Sequence, residues 1–175
     1  LWFHESMESR GNVSRVAAKD IDLVWYFHTL ASSVPHCGQS IIARLKNKLG
    51  MSRAKGFAIA QQNCVSYLAA LDASSALVKA YENISHILIV GADIVLDESY
   101  RPIESIGIQN DGSAAAVIGT RAKRHRLLGM ALTTYGEYYR GVNGDSEKSR
   151  QLNQMYYLSA YKLLKRLLTE NHCQA

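Results

Sequence analysis

The sequence predicts an α/β fold, a mixed sheet with helices packed on it. Short, uniformly apolar runs alternate with longer stretches whose apolar residues recur at helical spacing. Their order is strand, helix, strand, helix, strand, the way parallel strands are connected. Two further apolar runs then flank a charged turn, which predicts an antiparallel pair and makes the sheet mixed rather than parallel throughout.

The first strand is Asp22–Leu30, where Leu23, Val24, Trp25, Tyr26 and Phe27 form an unbroken apolar and aromatic run. A loop through Ala31–Pro35 leads to a helix with Ile41, Ile42, Leu45 and Leu49 on one face, and Gly50 stands where a helix stops. The short strand Gly56–Ala60 follows, then Gln61, Gln62, Asn63 and Cys64. A second helix runs from Cys64 to about Tyr81. Its expected buried stripe is Cys64, Leu68, Leu71, Ser75 and Val78, with alanines at 69, 70, 73 and 76 allowing close packing. Ser85–Gly91 is too evenly apolar to face water and reads as a central strand. Ser99–Gly107 is irregular. Ser113–Gly119 and Leu127–Tyr135 read as the antiparallel pair, Gly136–Asp145 as a loop, and Glu147–Thr169 as a final helix with Leu163, Leu164, Leu167 and Leu168 on its apolar face.

The chain has 175 residues, 47% hydrophobic and 20% charged, which supports a hydrophobic core and argues against disorder. No apolar run approaches the roughly 20 residues needed to cross a bilayer, and the first residues do not read as a secretory signal. Three cysteines make no disulfide framework and point to a reducing compartment, the cytoplasm. Of the net charge of +5, much lies in Arg121, Lys123, Arg124, His125 and Arg126. That run would suit an acidic partner or the phosphates of a coenzyme; a solvated loop between two strands is the plainer account. Aromatics are not interleaved with it, so a nucleic-acid platform is not expected.

Cys64 is the most informative residue. It stands between a short strand and a long helix, at or near the helix N-terminus, where unpaired N–H groups and the helix dipole favour negative charge. A thiolate there would be a nucleophile, although a free cysteine is more often a small buried hydrophobe. His28, at the end of the first strand, could approach the same place; a satisfied core or rim histidine is the plainer reading. His36-Cys37 and His172-Cys173 lack structural-zinc spacing, so no metal is expected. Asp111-Gly112-Ser113 reads as a tight turn rather than a phosphate cradle, since no glycine fingerprint opens a helix there.

The stretch Phe57-Ala58-Ile59-Ala60-Gln61-Gln62-Asn63-Cys64-Val65-Ser66-Tyr67-Leu68-Ala69-Ala70-Leu71 resembles the nucleophile strand and helix of ketoacyl synthase III enzymes, in the thiolase superfamily. Ile87–Asp93 resembles the next strand of that family, which ends in Gly-Ala-(Asp/Glu). Asn110–Val117 is similar to its Gly-Asp-Gly-Ala segment, and Asp20–Val24 to the Asp-Ile-Asp run entering a strand. The four stretches lie in the family's order and span about Asp20 to Tyr135.

The resemblance implies a thiolase-like fold, present only in part. Residues 1–145 would be the nucleophile-bearing N-terminal half, incomplete at its start, and 146–175 a helix leading into an absent C-terminal half. It implies a catalytic Cys64 that takes an acyl group from an acyl-coenzyme A or acyl carrier protein and passes it to a malonyl thioester. The assisting histidine and asparagine of the family would lie beyond Ala175. No resident cofactor is implied, coenzyme A arriving as the substrate thioester. The expected partners are acyl-CoA, acyl carrier protein and a second copy of the chain, paired through Phe57–Ala60; neither nucleic acid nor membrane is expected. Val65, Ser66 and Tyr67 replace the family's small residues after the cysteine, and Gln61-Gln62-Asn63 its alanine-rich approach. These departures leave open an oxygen or nitrogen acceptor, as in secondary metabolism, or a non-catalytic fragment of the fold.

Overall fold

The computed structural model describes residues 16–30, 33, 38–103, 107–121, 125–140 and 145–171. The chain divides into two compact units, Leu1–Ala122 and Lys123–Ala175. The first unit holds the sheet. Its strands are β1 (Leu23–Phe27), β2 (Lys55–Ile59), β3 (His86–Asp93) and β6 (Gly112–Gly119), in the order β2-β1-β3-β6. β1 pairs parallel with β2 (Trp25 opposite Phe57) and with β3 (Trp25 opposite Ile89), and β6 runs antiparallel to β3. The mixed sheet expected from the sequence is present.

Alternation along the strands divides the core into two layers. Val24, Tyr26, Leu88 and Val90 face one way, packed with Ile21, Met51 and Ala54 under helix α1 (Ile41–Leu49). Leu23, Ile87 and Ile89 face the other way with Trp25 and Phe27, under helix α2 (Ser66–Ala80). Serine and glycine bound α1. The Ser40 side chain accepts from Ala43 N–H at 3.1 Å, and Gly50 ends the helix in the left-handed region at φ 70°.

Of the stripe expected on helix α2, Leu71 and Val78 pack against the core, but the most deeply buried positions are others. Ser66, Ala70 and Ser74 are fully buried, one above another at four-residue spacing, while Leu68 is 39% exposed and Cys64 is exposed. The smallest side chains let the helix approach the sheet most closely, and the two serine hydroxyls are satisfied locally. Ser66 Oγ donates to Asn63 O at 2.8 Å and Ser74 Oγ to Ala70 O at 2.6 Å.

The pairing expected of Ser113–Gly119 with Leu127–Tyr135 does not form. β6 takes β3 as its partner over eight residue pairs, from His86 opposite Gly119 to Asp93 opposite Gly112. Residues 126–135 form no strand, and Gly129 lies against Leu167 and Asn171 in the second unit. Between β3 and β6 lie a turn at Glu98–Tyr100 and a small hairpin, β4 (Pro102–Ile103) with β5 (Gly107–Ile108).

The second unit contains α3 (Ser146–Glu170), capped by Asp145, whose carboxylate accepts from Lys148 N–H at 2.8 Å. Leu163, Leu167 and Leu168 are half-buried there, whereas Leu164 is exposed. No helix among the described residues is long and apolar enough to cross a membrane.

Candidate functional site

The parallel strands end at one edge, where two connections leave side by side because Phe27 is opposite Ile59. The connection from β2 to α2 carries Cys64. It is irregular for a physical reason: Gln61 and Asn63 both take left-handed backbone conformations, φ 65° and 47°. Asparagine tolerates this region; glutamine gains nothing from it. Asn63–Val65 then form a single tight turn, closed by Val65 N–H to Gln62 O at 3.1 Å, which runs into α2. No side chain caps the first turn of α2, and Cys64 stands exposed at its head. The expected position between strand and helix N-terminus is therefore the observed one. Strain of this kind persists only where its surroundings enforce it.

The connection leaving β1 is pinned instead by side chains. The carboxylate of Asp93, the last residue of β3, accepts from Thr29 N–H at 3.0 Å, Leu30 N–H at 2.9 Å and Ser33 Oγ at 2.8 Å. Ser33 Oγ in turn accepts from Ile94 N–H at 3.1 Å. From below, the Tyr26 hydroxyl lies within hydrogen-bonding distance of Ser33 O (3.1 Å) and Ala92 O (3.2 Å). Burial first, and then the Asp93 carboxylate, push the Tyr26 phenol above its ordinary value, so it stays a donor. His28 belongs to this cluster. Its ring stacks on Tyr26 at 5.7 Å, and its Nδ1 lies 3.0 Å from Leu30 O.

Below the edge, on the α2 side, are two aromatic pairs, Trp25 with Phe57 and Phe27 with Tyr67, each with ring centroids 5.5 Å apart. The Phe27 ring occupies the space a side chain at position 91 would need: a Cβ on Gly91 would sit 1.9 Å from it.

Elsewhere the sequence candidates resolve into structural roles. Asp111 accepts from Val95 N–H at 3.0 Å and lies 3.3 Å from Arg101 Nη1, tying a turn as expected. Arg101 also bonds Glu98, Asn110 and Val95 O, which organises the irregular connection. Of the basic run, Arg121, His125 and Arg126 are exposed, and Lys123 and Arg124 lie outside the described residues. His36, Cys37, His172 and Cys173 also lie outside them. Among the described residues no group of three or more potential ligands could hold a metal ion. The Asp93 clamp and the left-handed pair before Cys64 were not foreseen. Only an acidic residue ending an apolar strand hinted at the first, and nothing in the sequence at the second.

No protein-family model matches the chain. It is 27% identical over 129 residues to the beta-ketoacyl-[acyl-carrier-protein] synthase III of Fusobacterium nucleatum subsp. nucleatum, a match covering 71% of this chain and 37% of that protein. Its fold matches 3-oxoacyl-[acyl-carrier-protein] synthase III from Aquifex aeolicus VF5 with a TM-score of 0.70 at 16% identity, over 91% of this chain and 52% of that one. It matches the acyltransferase ChlB3 with a TM-score of 0.74 at 18% identity, over 90% and 52%. The chain thus spans little more than a third of the curated relative and about half of each solved structure. The resemblance to ketoacyl synthase III holds in sequence and in fold, and the chain carries part of the thiolase-type architecture of that family.

Proposed function

We propose that this chain forms part of an acyltransferase of ketoacyl synthase III type in which Cys64 carries the acyl group. The observation behind this reading is the exposed cysteine at the head of α2, directly after a connection that contains two left-handed, non-glycine residues, Gln61 and Asn63. Cys64 Sγ attacks the carbonyl carbon of an acyl thioester and the bond to the carrier sulfur breaks. The carrier leaves as its thiol, taking up the proton the cysteine gave up. The backbone N–H of Cys64 itself would be one donor to the charge developing on the carbonyl oxygen. A malonyl thioester then loses CO2 to give a carbanion, which attacks the acyl carbon and breaks its bond to Sγ, freeing the Cys64 thiolate. Acyl-CoA and acyl carrier protein are the donors in this reading, no resident cofactor is used, and the cytoplasm is the setting.

The test is to incubate the 175-residue chain with acetyl-CoA, measure the intact mass, and map the modified peptide. One acyl group on Cys64, absent from Cys64→Ser, supports the reading. An unmodified chain, or an acyl group on another residue, overturns it.

The same reading takes the protein as a homodimer. β2 is an outer strand of the sheet among the described residues, with Phe57 half exposed, so its outer edge suits a strand from a second copy. Sedimentation should show dimers at high concentration, and Phe57→Lys should weaken them; a clean monomer would remove this part of the proposal.

A further inference from the structure

We propose that Phe27 limits the length of the acyl group that Cys64 can carry, an inference that rests on the reading of Cys64 as the acylated residue. A short row of residues leads from the thiol to the sheet. Cys64 lies in the tight turn that runs into α2, so Tyr67, three residues on, stands on the same face one turn away, with about 5–6 Å between the two Cβ atoms. Cys64 is exposed, whereas Tyr67 is half-buried and packs with Leu71 on the α2 side of the core. The Tyr67 ring meets that of Phe27 at 5.5 Å between centroids. Phe27 in turn lies over Gly91, its register partner on β3. Cys64, Tyr67, Phe27 and Gly91 therefore follow one another from the open head of α2 down to the sheet.

An aromatic pair by itself is ordinary core packing. Gly91 sets this one apart. A glycine inside an inner strand gives up packing of its own and marks a place where another group comes close. Here the group is the Phe27 ring, which fills the space above Gly91 on the α2 side of the sheet. Without the ring, an apolar cleft floored by Gly91 would open beneath the first turn of α2, and dry apolar cavities of that kind take up small apolar groups. With the ring in place, an acyl chain on Sγ finds no room toward the sheet and its methylenes stay in water. Acetyl loses nothing by this. A longer chain gives up the gain from burial, about 4-fold for each methylene. The chemistry of loading is unchanged: the carbonyl carbon bonds Sγ and the carrier leaves as its thiol.

The test is a series of straight-chain donors, acetyl-, butyryl-, hexanoyl- and octanoyl-CoA, each incubated with the full 175-residue chain. The initial rate of Cys64 acylation is read by intact mass and peptide mapping. The wild type should load octanoyl no faster than acetyl. Phe27→Ala should raise the octanoyl-to-acetyl ratio about 10-fold or more, as the burial of a few methylenes requires. Phe27→Leu keeps an apolar side chain in the core and should raise the ratio less. Should Phe27→Ala fail to fold in urea titrations, the wild-type series and Phe27→Leu decide the matter. A wild type that already prefers octanoyl overturns the inference, and so does a ratio that no folded variant at position 27 changes. No acyl group on Cys64 from any donor would remove the functional reading and this inference with it. Acetyl on Cys64, with a ratio indifferent to position 27, removes only this inference.

Discussion

At the amino edge of the sheet, Asp22 leads into β1 and its carboxylate accepts the N–H groups of Ser85 and His86, 2.8 and 2.9 Å away, where β3 begins. At the carboxyl edge, Asp93 ends β3 and accepts the N–H groups of Thr29 and Leu30, where β1 has ended. Each strand lends a carboxylate to its neighbour, so the two central strands are stitched at both ends. The counter-charges differ. Asp22 is also paired with Arg53 and its side chain is only 6% exposed, which closes that edge. Asp93 takes neutral donors only, and its edge also carries His28, two left-handed residues and an exposed thiol. Both edges are locked; the lock at the carboxyl edge leaves reactive groups in reach.

The most severe way to break this comparison is to remove each carboxylate. Asp22→Ala orphans two partly buried N–H groups and an arginine and should cost about 3 kcal/mol. Asp93→Ala should cost about 2 kcal/mol, its loop gaining access to water once released. Urea unfolding gives both values. Hydrogen exchange separates them, with Thr29 and Leu30 losing protection in the second variant while Ser85 and His86 keep theirs. Equal loss of protection at both edges in either variant would show that the two clamps are not independent.

Acid sharpens the contrast. Burial raises the Asp22 carboxyl, but the hydrogen bonds from His86 and Ser85 and the Arg53 guanidinium outweigh it and leave it below its ordinary value near 3.8. A carboxyl depressed on folding stabilises the fold above its unfolded value and loses that contribution as pH falls through the folded one. Stability should therefore hold above about pH 5 and fall below about pH 4. Asp22→Asn should flatten that limb, and an unchanged limb in denaturant titrations would assign it to other groups.

Smaller effects follow. Arg53, 58% exposed in its pair, should cost no more than about 1 kcal/mol when changed to alanine. Gln61→Gly relieves the left-handed strain but loosens the unfolded chain, for a net gain of about 0.5 kcal/mol. A loss of stability in Gln61→Gly would mean that the glutamine side chain holds the turn.

Much of this was legible in the sequence because it is local. Runs of apolar residues located β1, β2 and β3, Gly50 marked the end of α1, and the step from strand to helix placed Cys64. What stayed hidden depends on partners distant in the chain. β6 pairs with β3, and the run beyond its own turn forms no strand. The line of closest approach on α2 follows Ser66, Ala70 and Ser74, beside the expected Leu71 and Val78, because small side chains let the helix come nearest the sheet. Asp93 meets residues about 60 positions away, and the left-handed conformation of Gln61 contradicts its local preference, which no propensity can announce.

The Trp25–Phe57 contact makes the molecule its own optical probe. Trp25 is partly buried against the half-exposed aromatic of the outer strand, so covering that strand changes the polarity around the indole. With Trp2 replaced by phenylalanine, a single emission maximum would report in real time whether the free edge of the sheet is wet or covered, as concentration, carrier or acyl donor is varied.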